Sequence, residues 1–529
     1  MFRQGWGRRA ARYNGVLVLF AVIMLSACSS EDAGHSSPAG EVPSISILAP
    51  LHFPQTPARD IVTEIDKLTG VRLEITWVPE GVYTDKMNTA MATGSLGKVT
   101  FVKVTDYNLV KNAIRSGAFW EIGPYLKDFP NLKQLDPAIL DQTAVDGKFY
   151  GLYTERPSSR QGIIIRKDWL DRLHLNKPKT LEELYHVLRQ FTYNDPDGNG
   201  KADTLGLVDR NDLVYGVFKT LSSYFGTPNN WKRVKGQFIP EFETPEYMDT
   251  MNFMKRLYHE KIINQDFALT SKEVQRDKFI RGSAGVFIGS MTDVQRLSIE
   301  AQAINPAAEL TLINRIKGPE GYKVWSIPNY NGLYLFSKKA IATEAELKQV
   351  LGFFDRTMDK DVANLMKYGF EGRHYKLEDG KVILPEETSQ LRVNEVSPLY
   401  SLMIADIGNR NIMEIAQKEQ LTALADQLSE DNEQFLVDDP TISLSSPTFD
   451  EKNTELSTII VDATYNYILG NITAEGFRQE VKKWRGSGGN LIIQEYGEAV
   501  RGRGGNRVTF LRVGGRSSAL QVILKNQIC

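Results

Sequence analysis

The 529-residue chain carries 63 basic and 65 acidic side chains and two cysteines, Cys28 and the terminal Cys529. Its near-neutral balance lacks the concentrated basic surface of a nucleic-acid binder, and two cysteines cannot build a disulfide framework, so stability must come from burial. The length accommodates two globular lobes of about 200 residues each.

Arg3, Arg8, Arg9 and Arg12 precede an uncharged apolar run from Val16 to Leu25. A basic segment followed by a short apolar one reads as an export signal, and the run is shorter than the roughly 20 apolar residues that span a bilayer. Leu25-Ser26-Ala27-Cys28 resembles the lipobox at which a bacterial lipoprotein is acylated on cysteine and cleaved just before it. The reading is therefore a signal at 1–27, a lipid on Cys28 and a location on the outer face of the cytoplasmic membrane. Removing the four signal arginines takes the net charge from −2 to −6. Residues 28–43, rich in Ser, Gly and Ala, read as a flexible tether.

Ser44–Leu48 is a short strand, and Ile61, Ile65 and Leu68 mark one face of a helix that ends at Gly70. Val71–Trp77 alternates apolar and polar residues, completing strand, helix, strand. A Met87/Met91 helix, the strand Val99–Val104 and a helix over Tyr107–Ile114 continue the pattern, which predicts a mostly parallel sheet covered by helices. A second region of the same kind begins at Gln161. Thr180-Leu-Glu-Glu183 is a capping box, Thr244-Pro245 starts another helix, and Thr343-Glu-Ala-Glu346 caps a third. Gly282–Gly289 and Gly332–Ser337 read as short buried strands, and from there to about residue 484 the chain is mainly helical. The tail after Arg501 holds only basic charges; a polybasic arm and a shifted reading frame are both open readings, and no function is built on it.

Asp195-Pro-Asp197-Gly-Asn199-Gly200-Lys201-Ala-Asp203 places oxygen side chains at positions 1, 3, 5 and 9 and glycine at 6, with the Lys201 carbonyl at 7. That spacing wraps a loop around a hard cation, although position 12 is Gly206 rather than Glu. A structural Ca²⁺ held by Asp195, Asp197, Asn199, Lys201 and Asp203, and a solvated turn, are the two readings.

Several of these segments together resemble the family 1 extracellular solute-binding proteins, in particular the large sugar-binding lipoproteins of Gram-positive ABC importers. The residues that carry the resemblance are Gly162–Leu173, Pro178–Glu183, Asp195–Gly206, Phe225-Gly226 with Trp231, Tyr258–Ile262, Tyr368–Tyr375 with Asp379-Gly380, and Trp484 with Gly488-Gly489 and Ile492–Tyr496. The likeness runs from about Ser44 to Tyr496, and departs from the family's pattern at Gly97-Lys98 and at Thr204. It implies an α/β fold of two lobes, a periplasmic-binding-protein-like clamshell of type II with a mostly helical C-terminal part, that closes on its ligand and delivers it to a permease. The expected division is 44–160 with 338–395 as lobe 1 and 161–337 with 396–500 as lobe 2, leaving 501–529 as the tail. Strands Ile163–Ile165 and Leu333–Phe336 are expected to join the lobes.

Carbohydrate sites set aromatic faces against sugar rings and add a few convergent polar groups. Among 24 Phe, 21 Tyr and 7 Trp, most must be core. Trp169, at a helix start, reads as core; Trp231, Trp325, Tyr153 and Tyr334 are the candidate platforms, with Glu155 and Arg156 as polar partners or as a surface ion pair. No nucleophile elbow, phosphate loop or dinucleotide fingerprint is present, and His259-Glu260 is followed at 263 by Ile rather than the second His of a zinc-protease helix. The chain is thus read as a monomeric, non-enzymatic carbohydrate binder. A lipid-anchored glycoside hydrolase, which needs only two carboxylates, and a carbohydrate adhesion protein are the alternatives.

Overall fold

The alternating segment after Gly70 forms the strand Arg72–Pro79, which lies parallel to Ser44–Leu51. Between them the helix Arg59–Thr69 buries Ile61 and Ile65 and stops where Gly70 adopts φ 71°, a left-handed turn that glycine enters without steric cost. The computed structural model describes residues 42–503; the segment read as an export signal, Cys28, the stretch to residue 41 read as a tether and the tail beyond residue 503 lie outside them.

The first sheet runs in the order Arg72–Pro79, Ser44–Leu51, Val99–Lys103, Tyr330–Phe336, Gly151–Glu155. Its first three strands are parallel, and Tyr330–Phe336 is antiparallel to both neighbours. The second sheet runs Leu310–Ile313, Gln161–Arg166, Ala284–Ser290, Leu205–Val208, with two antiparallel pairings and one parallel. Neither sheet is therefore the mostly parallel one expected, the first having two parallel and two antiparallel pairings; strands buried on both faces read as uninterrupted apolar runs whatever their direction.

Two expected boundaries also move. Tyr330–Phe336 belongs to the first sheet, where Leu333–Phe336 are packed in the same core as Phe101, Val102 and Phe354. Val396, Leu399 and Leu402–Ala405 lie in that core too, and Ile415 still pairs with Val382 of the first lobe. Lobe 1 is thus 43–155 with 330–416, and lobe 2 is 161–325 with 420–503. Apolar patterning reports that a strand is buried but not which sheet buries it.

The strands expected to join the lobes lie wholly inside one sheet each. The chain instead crosses at 156–160, 326–329 and 417–419. The first two crossings run side by side: Arg156 N donates to the Asn329 carbonyl at 2.9 Å, Ile327 N to the Ser158 carbonyl at 2.7 Å, and Asn329 Nδ2 to Ser158 Oγ at 2.8 Å. Asn432, fully buried, donates to Ser159 Oγ at 3.2 Å and so ties the helix Gln420–Asn432 to the same hinge.

The caps form as expected. Thr180 Oγ1 accepts from Glu183 N at 3.2 Å while Glu183 returns to Lys179 N at 2.8 Å, and Thr343 accepts from Glu346 N at 3.2 Å. Trp169 is core, set edge-on to Phe191 at 5.3 Å. The C-terminal part is mostly helical, through Pro447–Ile468, Ala474–Trp484 and Asn490–Arg503. Pro447–Ile468 packs in lobe 2 yet presents Asp450 to lobe 1, where Lys111 Nζ and Arg115 Nη1 meet it at 3.3 and 2.9 Å. No helix among the described residues is long and apolar enough to cross a membrane.

Candidate functional site

The parallel strands of both lobes aim their carboxyl ends at the gap between the lobes, the place where open α/β sheets collect ligands. In lobe 1, Ser44–Leu51 runs into His52, Arg72–Pro79 into Glu80, and Val99–Lys103 ends at Lys103. His52 Nδ1 lies 3.0 Å from Glu80 Oε2, and Lys103 Nζ donates to the Glu80 carbonyl at 3.1 Å. The bond from His52 holds the Glu80 carboxyl down to about 2, helped by the charges of Lys103 and of Lys272, which belongs to lobe 2. In lobe 2, Leu205–Val208 leads into Asp209-Arg210. Arg210 is fixed by Gln275 Oε1 at 3.0 Å, Asp212 at 3.1 Å and the Tyr215 carbonyl at 2.5 Å.

At the hinge, the connection Glu155-Arg156-Pro-Ser-Ser-Arg160 forms a second group. Arg156 is 4 % exposed; its Nε donates to the Pro328 carbonyl at 2.8 Å, and its buried Nη2 makes no hydrogen bond. Burial lowers its basicity, opposed by the neighbouring Tyr215 hydroxyl of lobe 2. The buried Nε of Arg160 also lacks a partner. Tyr400, 41 % exposed, lies within the electrostatic reach of Arg156, Arg160 and Asp406. Glu155 accepts from Gly408 N at 2.9 Å, but burial and the like charge of Asp406 push its carboxyl up to about 6. The arrangement is chemically a polar, cation-bearing crevice with aromatic walls.

Of the six candidate ligand residues, Glu155 and Arg156 lie at this junction, and Trp325, itself buried at 4 % exposure, packs against Tyr215 on the lobe 2 side. The Trp325 ring lies 6.0 Å from that of Tyr215, and its Nε1 donates to Thr220 Oγ1 at 3.1 Å. The other three do not. Tyr334 is wholly buried between Phe101 and Phe354, its hydroxyl on the Ser401 carbonyl; Tyr153 is buried with its hydroxyl on Asp136 N. Both fall on core strands that are buried on both faces. Trp231 packs against Trp484 and Tyr496 at 6.2 and 5.3 Å, closing the small core beneath the C-terminal helices. Arg160, Tyr215, Tyr400 and the strand-end group His52, Glu80, Lys103 were not anticipated. The strand ends had a sequence signal, since each is the first polar residue after or at the close of a parallel strand.

The acidic loop stays on lobe 2, between the helix Leu181–Tyr193 and the strand Leu205–Val208. Asp195, Gly198 and Gly200 take positive φ, so the chain curls back: Asp195 accepts from Asn199 N and Gly200 N, each at 3.0 Å. Asn199 Nδ2 bridges Asp197 and Asp203 at 2.8 and 3.2 Å. Burial and the nearby charges of Asp203 and Asp195 raise Asp197, a crowding of carboxylates that a cation relieves. Position 12 is sterically closed, because a Cβ on Gly206 would lie 2.2 Å from the Leu188 carbonyl. A cation here would have to be held by the loop's oxygens and water, without a bidentate Glu. In the arrangement shown, no three His, Cys, Asp or Glu side chains among the described residues converge closely enough to hold one.

Residues 55–338 match the family model of the bacterial extracellular solute-binding protein. The chain is 45 % identical over 496 residues to the polygalacturonan/rhamnogalacturonan-binding protein YtcQ of Bacillus subtilis, covering 92 % of this chain and 97 % of that protein. It is 34 % identical to lipoprotein LipO of the same organism, covering 90 % and 95 %. A solved solute-binding protein of Bifidobacterium longum infantis, described as HMO-binding and associated with an ABC transporter, superposes with a TM-score of 0.69 at 18 % identity, over 86 % of this chain and 98 % of that one. With its two α/β lobes, paired hinge crossings and strand ends facing one gap, the chain belongs to the bacterial extracellular solute-binding protein family.

Proposed function

We propose that this protein captures galacturonate-containing oligosaccharides between its lobes and delivers them to the permease of an ABC importer. The observation that carries the reading is the 45 % identity with a polygalacturonan/rhamnogalacturonan-binding protein across nearly the full length of both chains. The cationic crevice agrees chemically, since a galacturonate unit carries one carboxylate. The reading assigns no catalysis to the chain: it binds, closes and releases. Calorimetric titration of the purified protein with trigalacturonate, rhamnose-containing and neutral oligosaccharides tests it, followed by chromatography of the recovered sugar. Saturable binding with the sugar returned intact is expected. Shortened products would identify a hydrolase, and binding only to long polymer would favour the adhesion alternative.

The same proposal places the protein outside the cell on a lipid at Cys28. The basic segment, the apolar run and the Leu-Ser-Ala-Cys sequence support it, as does the similarity to a protein named lipoprotein LipO. Cys28→Ser is expected to shift the protein from the membrane fraction to the medium; an unchanged distribution and N-terminus would rule out the anchor. The loop at 195–203 is proposed to take a structural Ca²⁺, with Asp195, Asp197, Asn199, Asp203 and the Lys201 carbonyl as its protein donors and no part in ligand capture.

A further inference from the structure

Resting on the carbohydrate reading, we infer that Arg156 and Arg160 form a carboxylate-reading subsite at the floor of the cleft, which makes the protein selective for acidic over neutral or esterified sugars. The argument starts from donors that the fold leaves unused. Buried polar groups are normally satisfied, and a guanidinium remains charged at any physiological pH. Yet Arg156 is 4 % exposed with Nη2 unpartnered, Arg160 keeps a buried, unpartnered Nε, and neither forms an ion pair among the described residues.

Their position separates them from an ordinary buried arginine. Both lie on the hinge crossing, so each belongs to the boundary between two bodies that rotate. Arg156 is held by the Pro328 carbonyl of the adjacent crossing, which fixes its plane while leaving Nη2 unfilled. The Tyr215 hydroxyl of lobe 2 neighbours the Arg156 guanidinium and supports its charge, and Tyr400 of lobe 1 is 41 % exposed although Pro398, Leu399, Ser401 and Leu402 around it are buried. A uronate ring has a face that packs on tyrosine and a carboxylate that accepts from planar N–H groups, and the hinge offers both within one small region. Rotation about 156–160 and 326–329 moves Tyr215 relative to Tyr400 and uncovers the guanidinium; closing over a carboxylate supplies the missing acceptor. The acids nearby do not fill that role. Glu155 is turned to Gly408 N at 2.9 Å, and Asp406 is 3.8 Å from Lys367.

The test compares the affinity of trigalacturonate, its methyl ester and neutral galactotriose by calorimetry at constant salt. The expected result is about tenfold to hundredfold tighter binding of the acid than of the ester, the range of charge-assisted hydrogen bonds. Arg160→Gln removes a side chain that makes no hydrogen bond in the fold, so it should melt like the unmodified protein and lose most of the acid preference, its affinity for the acid falling much further than that for the ester. Arg160→Lys keeps the charge but not the planar donor pair, and should recover only part of the preference. Equal affinity for acid and ester in the unmodified protein, or an unaltered ratio in Arg160→Gln, overturns the subsite and leaves carbohydrate capture standing. Absence of binding to all three sugars overturns the carbohydrate reading and the subsite with it.

Discussion

At the scale of single residues, the same side-chain type serves opposite ends depending on one backbone position. Tyr153 and Tyr334 sit on strands of the first sheet that are buried along nearly their whole length and are core, whereas Tyr215, on an irregular segment, and Tyr400, in a short helix, lie beside the hinge. Gly206 shows how a packing demand constrains chemistry nearby. Its backbone must pass against the Leu188 carbonyl, so the residue that would be the last ligand of a complete calcium loop cannot carry a side chain. The remaining donors, Asp195, Asp197, Asn199 and Asp203, already turn toward one another through Asn199. Calcium added to metal-stripped protein should therefore raise the melting temperature. A ligand present at 100 times its Kd and bound only by the folded state stabilises it by about 2.7 kcal/mol. Asp197→Ala should abolish the rise. An equal rise in the variant would place the ion elsewhere, and no rise in either protein would leave the loop a solvated turn.

At the scale of elements, legibility followed the physics of what patterning encodes. The helix over Arg59–Thr69 and the capped starts at Thr180 and Thr343 could be read because helical spacing, a capping hydroxyl and a terminal glycine are local signals. The assignment of Tyr330–Phe336 to a sheet could not, since its burial pattern fits either lobe and one of its partners, Val99–Lys103, lies more than two hundred residues earlier. The hinge was misplaced for the same reason: Ile163–Ile165 and Leu333–Phe336 look like connecting strands in sequence, while the real crossings are short polar segments with no periodicity. Glu155 and Arg156 were legible because they abut such a segment; Tyr400, in a short helix more than two hundred residues further on, was not. The helix Pro447–Ile468 adds a feature that no local signal announces. Its Asp450 carboxylate, almost fully enclosed, is shared by Lys111 and Arg115 of lobe 1, and Arg115 also reaches Asp146 at 3.1 Å. This ion cluster joins the lobes away from the hinge, so rotation must either carry it along or exchange its pairs.

At the scale of the whole molecule, the lobes are linked by the three crossings and by the Asp450 cluster, and closure would be a rotation of lobe 2 against lobe 1 about the crossings. A ligand shifts that equilibrium only by its extra affinity for one arrangement, and a sugar touching Arg156, Tyr400 and Tyr215 together gains that affinity when the walls meet. Trp325 is placed to report it, being packed on Tyr215 and anchored to Thr220 on lobe 2 immediately before the crossing at 326–329. Trp231, enclosed by Trp484 and Tyr496 within lobe 2, should be silent. Saturating trigalacturonate is expected to reduce the radius of gyration measured by small-angle scattering and to shift tryptophan emission. Trp325→Phe should remove most of the emission change while preserving the scattering change, and Trp231→Phe should preserve both. If a saturating, intact ligand leaves the scattering profile unchanged, capture does not proceed by lobe closure. If emission changes through Trp231 rather than Trp325, the ligand acts on the C-terminal core and not at the hinge.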